Sequence, residues 1–239
     1  MSQFMDMIRL PNYGLGLAKG QFADISHVHQ IGAVPSMSQN TTGTIWDVND
    51  TSYPWSSWAT AGTLSIPAVN ASDDGKDVTI VGLDSSYNYQ TETVTVSSSG
   101  ATTTTGSFIR IERAYISEIN VGNVNIQKSA VTVARITAGN GITSMGVYTI
   151  PAGYTGYLVK GTCSVQDGAD ATGNMFVRYF GGDFQLGHSF EVSGKGGQYM
   201  YNFDIPIRLP EKTDIDVRAT VRSNNARVTA AFDLILDFD

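Results

Sequence analysis

The sequence predicts an all-β protein: an N-terminal extended arm followed by two antiparallel β-sandwich domains, the second of them jelly-roll-like. Three observations carry that expectation. Short runs of alternating apolar and polar residues recur from Ile45 onward, each closed by Gly, Asn, Asp or Ser. No stretch shows helical spacing with caps sustained over three turns. Charged residues make up only 15% of the chain, and its polarity comes instead from Ser, Thr, Asn and Gly, which suit strands and turns better than solvated helices.

The arm covers residues 1–43. Its apolar residues (Phe4, Met5, Met7, Ile8, Leu10, Tyr13, Leu15, Leu17, Phe22 and Ile25) are mixed with Gly and Pro without a period of two or 3.6. A segment this apolar is poorly suited to solvated disorder, so it is expected to lie along its own domains or, preferentially, to dock on a neighbouring subunit. The first sandwich or barrel is expected over 44–128, with strand-like runs at 44–47, 62–66, 77–83, 90–97, 107–119 and 122–127. Asp73-Asp74-Gly75 and Ser98-Ser99-Gly100 are turn material between them, and the alternation is plain from Phe108 to Ile116. The second sandwich is expected over 129–239, with eight runs at 131–136, 145–150, 156–165, 174–180, 184–192, 199–208, 214–222 and 228–238. Pro151-Ala152-Gly153 and Pro210-Glu211-Lys212 supply corners, and the seam between the domains is placed near Lys128 to Val131.

Bulk properties narrow the functional classes. A formal net charge of -7 and a pI of about 4.8 oppose direct binding to nucleic acid, because phosphates would be repelled. No run reaches the ~18 apolar residues of a membrane span, and residues 1–20 lack a secretion signal, so a chain made in the cytoplasm and unanchored to membrane is expected. With 239 residues, 41% of them hydrophobic, a sizeable core can form. The single cysteine, Cys163, lies in an alternating apolar run and reads as a small buried hydrophobe.

Candidate chemistry is sparse. His27-x-His29 places two imidazoles on one side of an extended segment, but no further ligand lies near, so ordinary hydrogen bonds of a docked arm are the better reading. The acidic turn from Ser72 to Asp77 lacks EF-hand spacing and reads as a solvated hairpin turn. Gly14-x-Gly16-x-x-x-Gly20 lacks the strand, helix and acid of a dinucleotide site; Glu112 has no defined carboxylate partner; His188 has no partner motif. No catalytic residue, metal ligand or cofactor is therefore assigned, and the chain is not expected to be an enzyme. Trp46, Trp55 and Trp58 cluster with Tyr53 and Pro54, to plug the end of the sandwich or anchor the arm, or else to form a saccharide-stacking platform. The residues expected to make interactions are Tyr13, Leu15, Leu17, Phe22, His27 and His29 of the arm, with Trp46, Trp55 and Trp58.

Several phrases, taken in order, resemble a family of virion structural proteins of tailed bacteriophages. They are Tyr13-Gly14-Leu15-Gly16-Leu17-Ala18-Lys19-Gly20, His29-Gln30-Ile31-Gly32-Ala33, Thr44-Ile45-Trp46-Asp47 and Val78-Thr79-Ile80-Val81-Gly82-Leu83-Asp84. Ala138-Gly139-Asn140-Gly141, Tyr148-Thr149-Ile150-Pro151-Ala152-Gly153, the stretch from Pro210 to Ala219 and Ala231-Phe232-Asp233-Leu234-Ile235-Leu236 complete the set. After Trp46-Asp47 the family continues with paired glycines, whereas Val48-Asn49-Asp50 stands here, so the first turn is unmatched. The resemblance implies a particle component without catalytic residues, located in the virion after assembly in the host cytoplasm. It implies first a capsid decoration or cement protein bound to the major capsid protein or other virion proteins, and a homo-oligomer, with a trimer expected. Alternatives are a tail, neck or baseplate adaptor or fibre component, and a host-glycan-binding attachment module.

Overall fold

The computed structural model describes residues 13–166, 168–193, 197–223 and 225–238; residues 1–12 of the expected arm lie outside the described residues. The chain forms α1 (Tyr13–Ala18), β1 (Ile25–Met37), β2 (Thr42–Thr44), β3 (Ser65–Ile66), β4 (Asp77–Leu83), β5 (Tyr89–Thr95), β6 (Thr102–Thr103) and β7 (Arg110–Ile116). It continues through β8 (Val124–Lys128), β9 (Val131–Ile136), β10 (Val147–Thr149), β11 (Tyr154–Val165), β12 (Ala171–Arg178), β13 (Gln185–Val192), β14 (Gln198–Leu209), β15 (Asp214–Val221) and β16 (Ala226–Phe238). Every ladder among the described residues is antiparallel, so the all-β expectation holds.

Two cores organise the strands. In one, the sheet β1-β16-β11-β14 faces the sheet β10-β15-β12-β13 across Val34, Met37, Leu158, Phe232 and Leu234 on one side and Ile150, Met175, Ile215, Val217 and Val221 on the other. Cys163 is buried in this core, and burial pushes its thiol up to about 12, so it behaves as the expected apolar filler. In the other core, β6-β3-β8-β9 faces β5-β4-β7 across Ile66, Val78, Ile80, Phe108, Ile126 and Ile136.

The strand pairing redraws the expected boundaries in two places. The segment expected as an arm supplies β1, which pairs with β16 from Ile25↔Asp237 to Met37↔Ala226, and β2, which pairs with β15. β1 and β2 thus belong to the sandwich formed by the C-terminal half, while Leu17 and Phe22 pack on its outer face. The inward face of β1 reads Val28, Gln30, Gly32 and Val34, a mixture whose glycine and amide hide the period of two. The seam expected at Lys128 to Val131 falls instead inside the β8–β9 hairpin, where Lys128 pairs with Val131. Its two turn residues, Ser129 (φ 49°) and Ala130 (φ 66°), both adopt the left-handed conformation of a type I′ turn. Lys128 itself is buried, its Nζ donating to the Thr60 and Phe108 carbonyls and lying 4.5 Å from the Trp58 ring centroid.

The residues between β2 and β10 therefore form a sandwich inserted into an edge of the other one. β2 and β10 both pair with β15, end to end along the same strand. At the gap between them, Val217 donates to the Gly146 carbonyl and accepts from Ile45 N–H, while Gly146 N–H donates to the Ile45 carbonyl. With β2 and β10 counted as one interrupted strand, the outer sandwich has eight strands in two four-stranded sheets, as in a jelly roll.

Backbone approach at this gap is close. A Cβ on Gly32 would sit 2.2 Å from the Ile45 carbonyl oxygen and 2.5 Å from Gly146 N, atoms that cannot rotate away. Gly32→Ala is expected to cost about 3 kcal/mol in chemical denaturation. A variant as stable as wild type would show that β1 does not pack on this gap.

Candidate interaction surface

The expected interaction residues divide between surface and core. Tyr13 and Leu15 on α1 are exposed, whereas Leu17 and Phe22 pack beside Ile25, Tyr157 and Ile235 on the outer face of the β1-β16-β11-β14 sheet. His27 and His29 lie on that same face and share one acceptor, Asp233 Oδ1, at 3.2 Å from His27 Nε2 and 2.6 Å from His29 Nδ1. Trp46 and Trp58 are buried in the inserted core, where Trp58 Nε1 donates to the Tyr53 hydroxyl. Trp55 is half-buried at the junction of the two sandwiches.

That junction is polar and densely paired. Asp214 accepts from Arg110 Nε at 2.8 Å and Nη2 at 3.1 Å, from Arg178 Nε at 2.9 Å and Nη2 at 2.6 Å, and from Thr149 Oγ1 at 2.7 Å. Trp55 completes the cluster: its Nε1 donates to Asp216 Oδ2 at 2.9 Å, and the guanidinium carbons of Arg110 and Arg178 lie 5.5 and 5.1 Å from its ring. Arg218 pairs with Asp216 and lies over Phe176 and Phe184. Gln30 Nε2 reaches three carbonyls of the junction, those of Glu112, Met145 and Val147.

Two buried acids beside this network stay protonated above their ordinary range. Burial pushes Asp47 up to about 6 against a hydrogen bond from Thr137, and raises Glu112 well above the carboxylate range against one from Thr149 N–H. In each, one oxygen lacks a hydrogen-bond partner (Asp47 Oδ1 and Glu112 Oε1). Asp73, expected in a solvated turn, is instead buried. Burial alone would raise its pKa, but hydrogen bonds from Lys76 and from the backbone N–H groups of Gly122 and Val121 hold it below the usual range.

The surface that sequence reasoning missed is the flank formed by β13 and β14. Each is the end strand of its sheet, with a hydrogen-bonded neighbour on one side. Between them a column of rings closes the sandwich: Phe190 stacks on Tyr199 at 5.0 Å and 10°, Tyr201 meets Phe203 edge-on at 4.7 Å, and His188 Nε2 lies 2.9 Å from the Tyr199 hydroxyl. Outside that column Leu186 is 58% exposed and Met200 59%. In β14 the pairing with β11 skips from Asn202 to Ile207, so residues 203–206 stand against Val159 alone. This bulge, which contains Pro206, holds Ile205 outward at 86% exposure. The run Tyr199, Met200, Tyr201, Phe203 and Ile205 places apolar residues on both faces of an edge strand, and that is the signal by which it could have been found.

Removing Asp214 would leave two guanidinium groups facing each other without their shared anion. Asp214→Ala is expected to lose about 3–5 kcal/mol in urea unfolding, and a loss below about 1 kcal/mol would rule out the cluster as the junction's staple. The buried acids give the opposite sign. A raised folded pKa stabilises fully below the unfolded value and less as pH climbs, so Asp47 loses its contribution between 3.8 and about 6, and Glu112 from 4.5 upward. Glu112→Gln is expected to match wild type near pH ~4 and to exceed its stability near pH ~8; a constant difference across that range would contradict a neutral Glu112.

Comparison with protein-family models finds no match, and comparison with curated proteins finds none either. Among solved structures, the chain is similar to cowpea mosaic virus top component, the naturally occurring empty particles, at 12% identity, with 75% of this chain and 82% of that chain covered and a TM-score of 0.23. It is also similar to infectious bursal disease virus, Gt strain, at 11% identity, 89% and 72% coverage and a TM-score of 0.22. The VP2 subviral particle of infectious bursal disease virus follows at 8% identity, with the same coverage and TM-score. At TM-scores this low these likenesses add nothing to the strand order itself.

Proposed function

We propose that this chain is a structural subunit of a tailed-phage virion, and within the particle a decoration or cement protein of the head. The observation that carries the reading is the unpaired, apolar β13–β14 flank, with Ile205 held outward by a bulge. An open sheet edge with exposed apolar side chains is an association surface, because pairing satisfies its backbone groups and burial gains ~25 cal/mol per Å². The ordered phrases that resemble tailed-phage virion proteins support the setting, and the low charged fraction suits broad, close-fitting contacts.

In this reading a second copy of the chain covers the flank, closing a symmetric homo-oligomer, with a trimer expected. The His27/His29 face and the exposed Tyr13 and Leu15 then contact the major capsid protein. A tail, neck or baseplate position is the competing assignment, and copy number per virion separates the two: hundreds of copies mean the head, whereas about a dozen mean a tail or neck ring.

Ile205→Lys combined with Met200→Lys is expected to convert the assembled protein to monomer in analytical ultracentrifugation. Both side chains are exposed, so the monomer should keep the wild-type far-UV circular dichroism spectrum, and its melting temperature should fall only by what assembly contributes. A wild-type protein that sediments as a monomer and does not bind particles lacking it would overturn the proposal.

A further inference from the structure

A second feature is independent of that flank. Beside Trp55 the two sandwiches enclose an open cleft of about 570 Å³. Its walls are aromatic: Trp55, Tyr87, Tyr179 and Phe180, the last 66% exposed. Its charged groups are Arg110, Arg178 and Lys212 against the single carboxylate Asp214, an excess of cations in a chain whose net charge is -7. Arg110 is fully engaged, whereas Arg178 commits only Nε and Nη2 to Asp214 and keeps Nη1 uncommitted. Lys212 Nζ lies 5.4 Å from the Phe180 ring centroid, and its nearest carboxylate, Glu211, stands 3.6 Å away with its other oxygen held by Gly153 N–H.

The cleft is also where the backbone is strained. Tyr87, at the tip of the β4–β5 hairpin, has φ 68°, and Lys212, at the β14–β15 corner, has φ 59°. A bulky aromatic residue in the left-handed region is a true outlier, and Lys212, a second left-handed non-glycine residue from the other sandwich, lines the same cleft. Tyr87 is held there by Asp84 Oδ1, which accepts from Ser86 N–H and Asn88 N–H, and by its own carbonyl, which accepts from Ala152 N–H. The result points its ring at Arg110, 5.4 Å away, and at the edge of Phe180, 5.8 Å away.

We infer that this cleft binds an acidic saccharide. The C–H faces of a sugar ring pack on the exposed Phe180 and Tyr179 rings, and its carboxylate is met by Lys212 and the uncommitted guanidinium Nη1 of Arg178. Nucleotides would offer a similar stacking face, but the field of the chain opposes multiply charged phosphates far more than a singly charged sugar acid.

Tryptophan fluorescence reads the cleft directly, because Trp55 and Trp58 both line it and Trp55 is the more exposed of the two, whereas Trp46 is buried in the inserted core. The probes are methyl galacturonide, which carries one carboxylate, its neutral counterpart methyl galactoside, uridine monophosphate and inorganic phosphate. Saturable binding of methyl galacturonide is expected, weakened about tenfold by Phe180→Ala and by Lys212→Ala, with methyl galactoside at least about tenfold weaker. No saturable response to methyl galacturonide, equal binding of methyl galactoside, uridine monophosphate or phosphate, or binding unaffected by both substitutions would each overturn the inference. Phe180 is exposed and outside the β13–β14 flank, so its variant should keep the wild-type sedimentation and melting temperature. Loss of saccharide binding and loss of assembly are thereby read separately.

Discussion

The outer sandwich must release its chain in mid-strand and take it back at the same point. β15 makes this possible by offering one edge to two short strands in succession, β2 and β10, and by bonding both sides of the gap through Val217. The rest of the junction follows from that interruption. Backbone carbonyls of Met145 and Val147 sit where two cores meet, and the buried amide of Gln30 satisfies them. Backbones converge so closely that Gly32 and Gly146 leave no room for a side chain. The charged pairs across the seam, Arg110 with Asp214 above all, then fix the inserted sandwich against its host, where an apolar contact alone would permit sliding.

Polarity in this molecule is distributed against the usual trend. Carboxylates and guanidinium groups lie inside the junction, while Ile205, Met200 and Leu186 face outward on the β13–β14 flank. The inside can bear this because nearly every buried charge has partners; the two acids with an unpartnered oxygen, Asp47 and Glu112, keep a proton to higher pH than an exposed carboxylate does. On the outside, apolar side chains are left in solvent, which is the arrangement the proposed function takes for an association surface.

Much of the fold was legible because alternation reports burial of one face. The strands β4, β8, β12 and β15 fall where their apolar residues repeat every second position, between Asp, Ser and Gly turns. β1 was illegible as a strand because its inward face carries Gln30 and Gly32, needed for the gap, in place of aliphatic residues. The β8–β9 hairpin was illegible because Ser129-Ala130 adopts a turn whose usual signal is Asn-Gly. At the junction, Trp55 stood out in its aromatic cluster, but Arg110, Arg178 and Asp214 are scattered along the chain on strands where a charge ordinarily means a solvated face. Their convergence is a product of the insertion, which no local pattern announces.

Pairing of β1 with β16 joins segments roughly two hundred residues apart, as at Ile25↔Asp237. Contacts of that span are slow to form, because the entropy of closing a long loop is lost before the contact repays it. The inserted sandwich changes the problem: its strands are contiguous in the chain, so it can condense as a unit and bring Ile45 beside Gly146 before the outer sheets exist. With the inserted sandwich condensed first, the long loop would behave as a short one, and the surrounding jelly roll would close on a junction already in place.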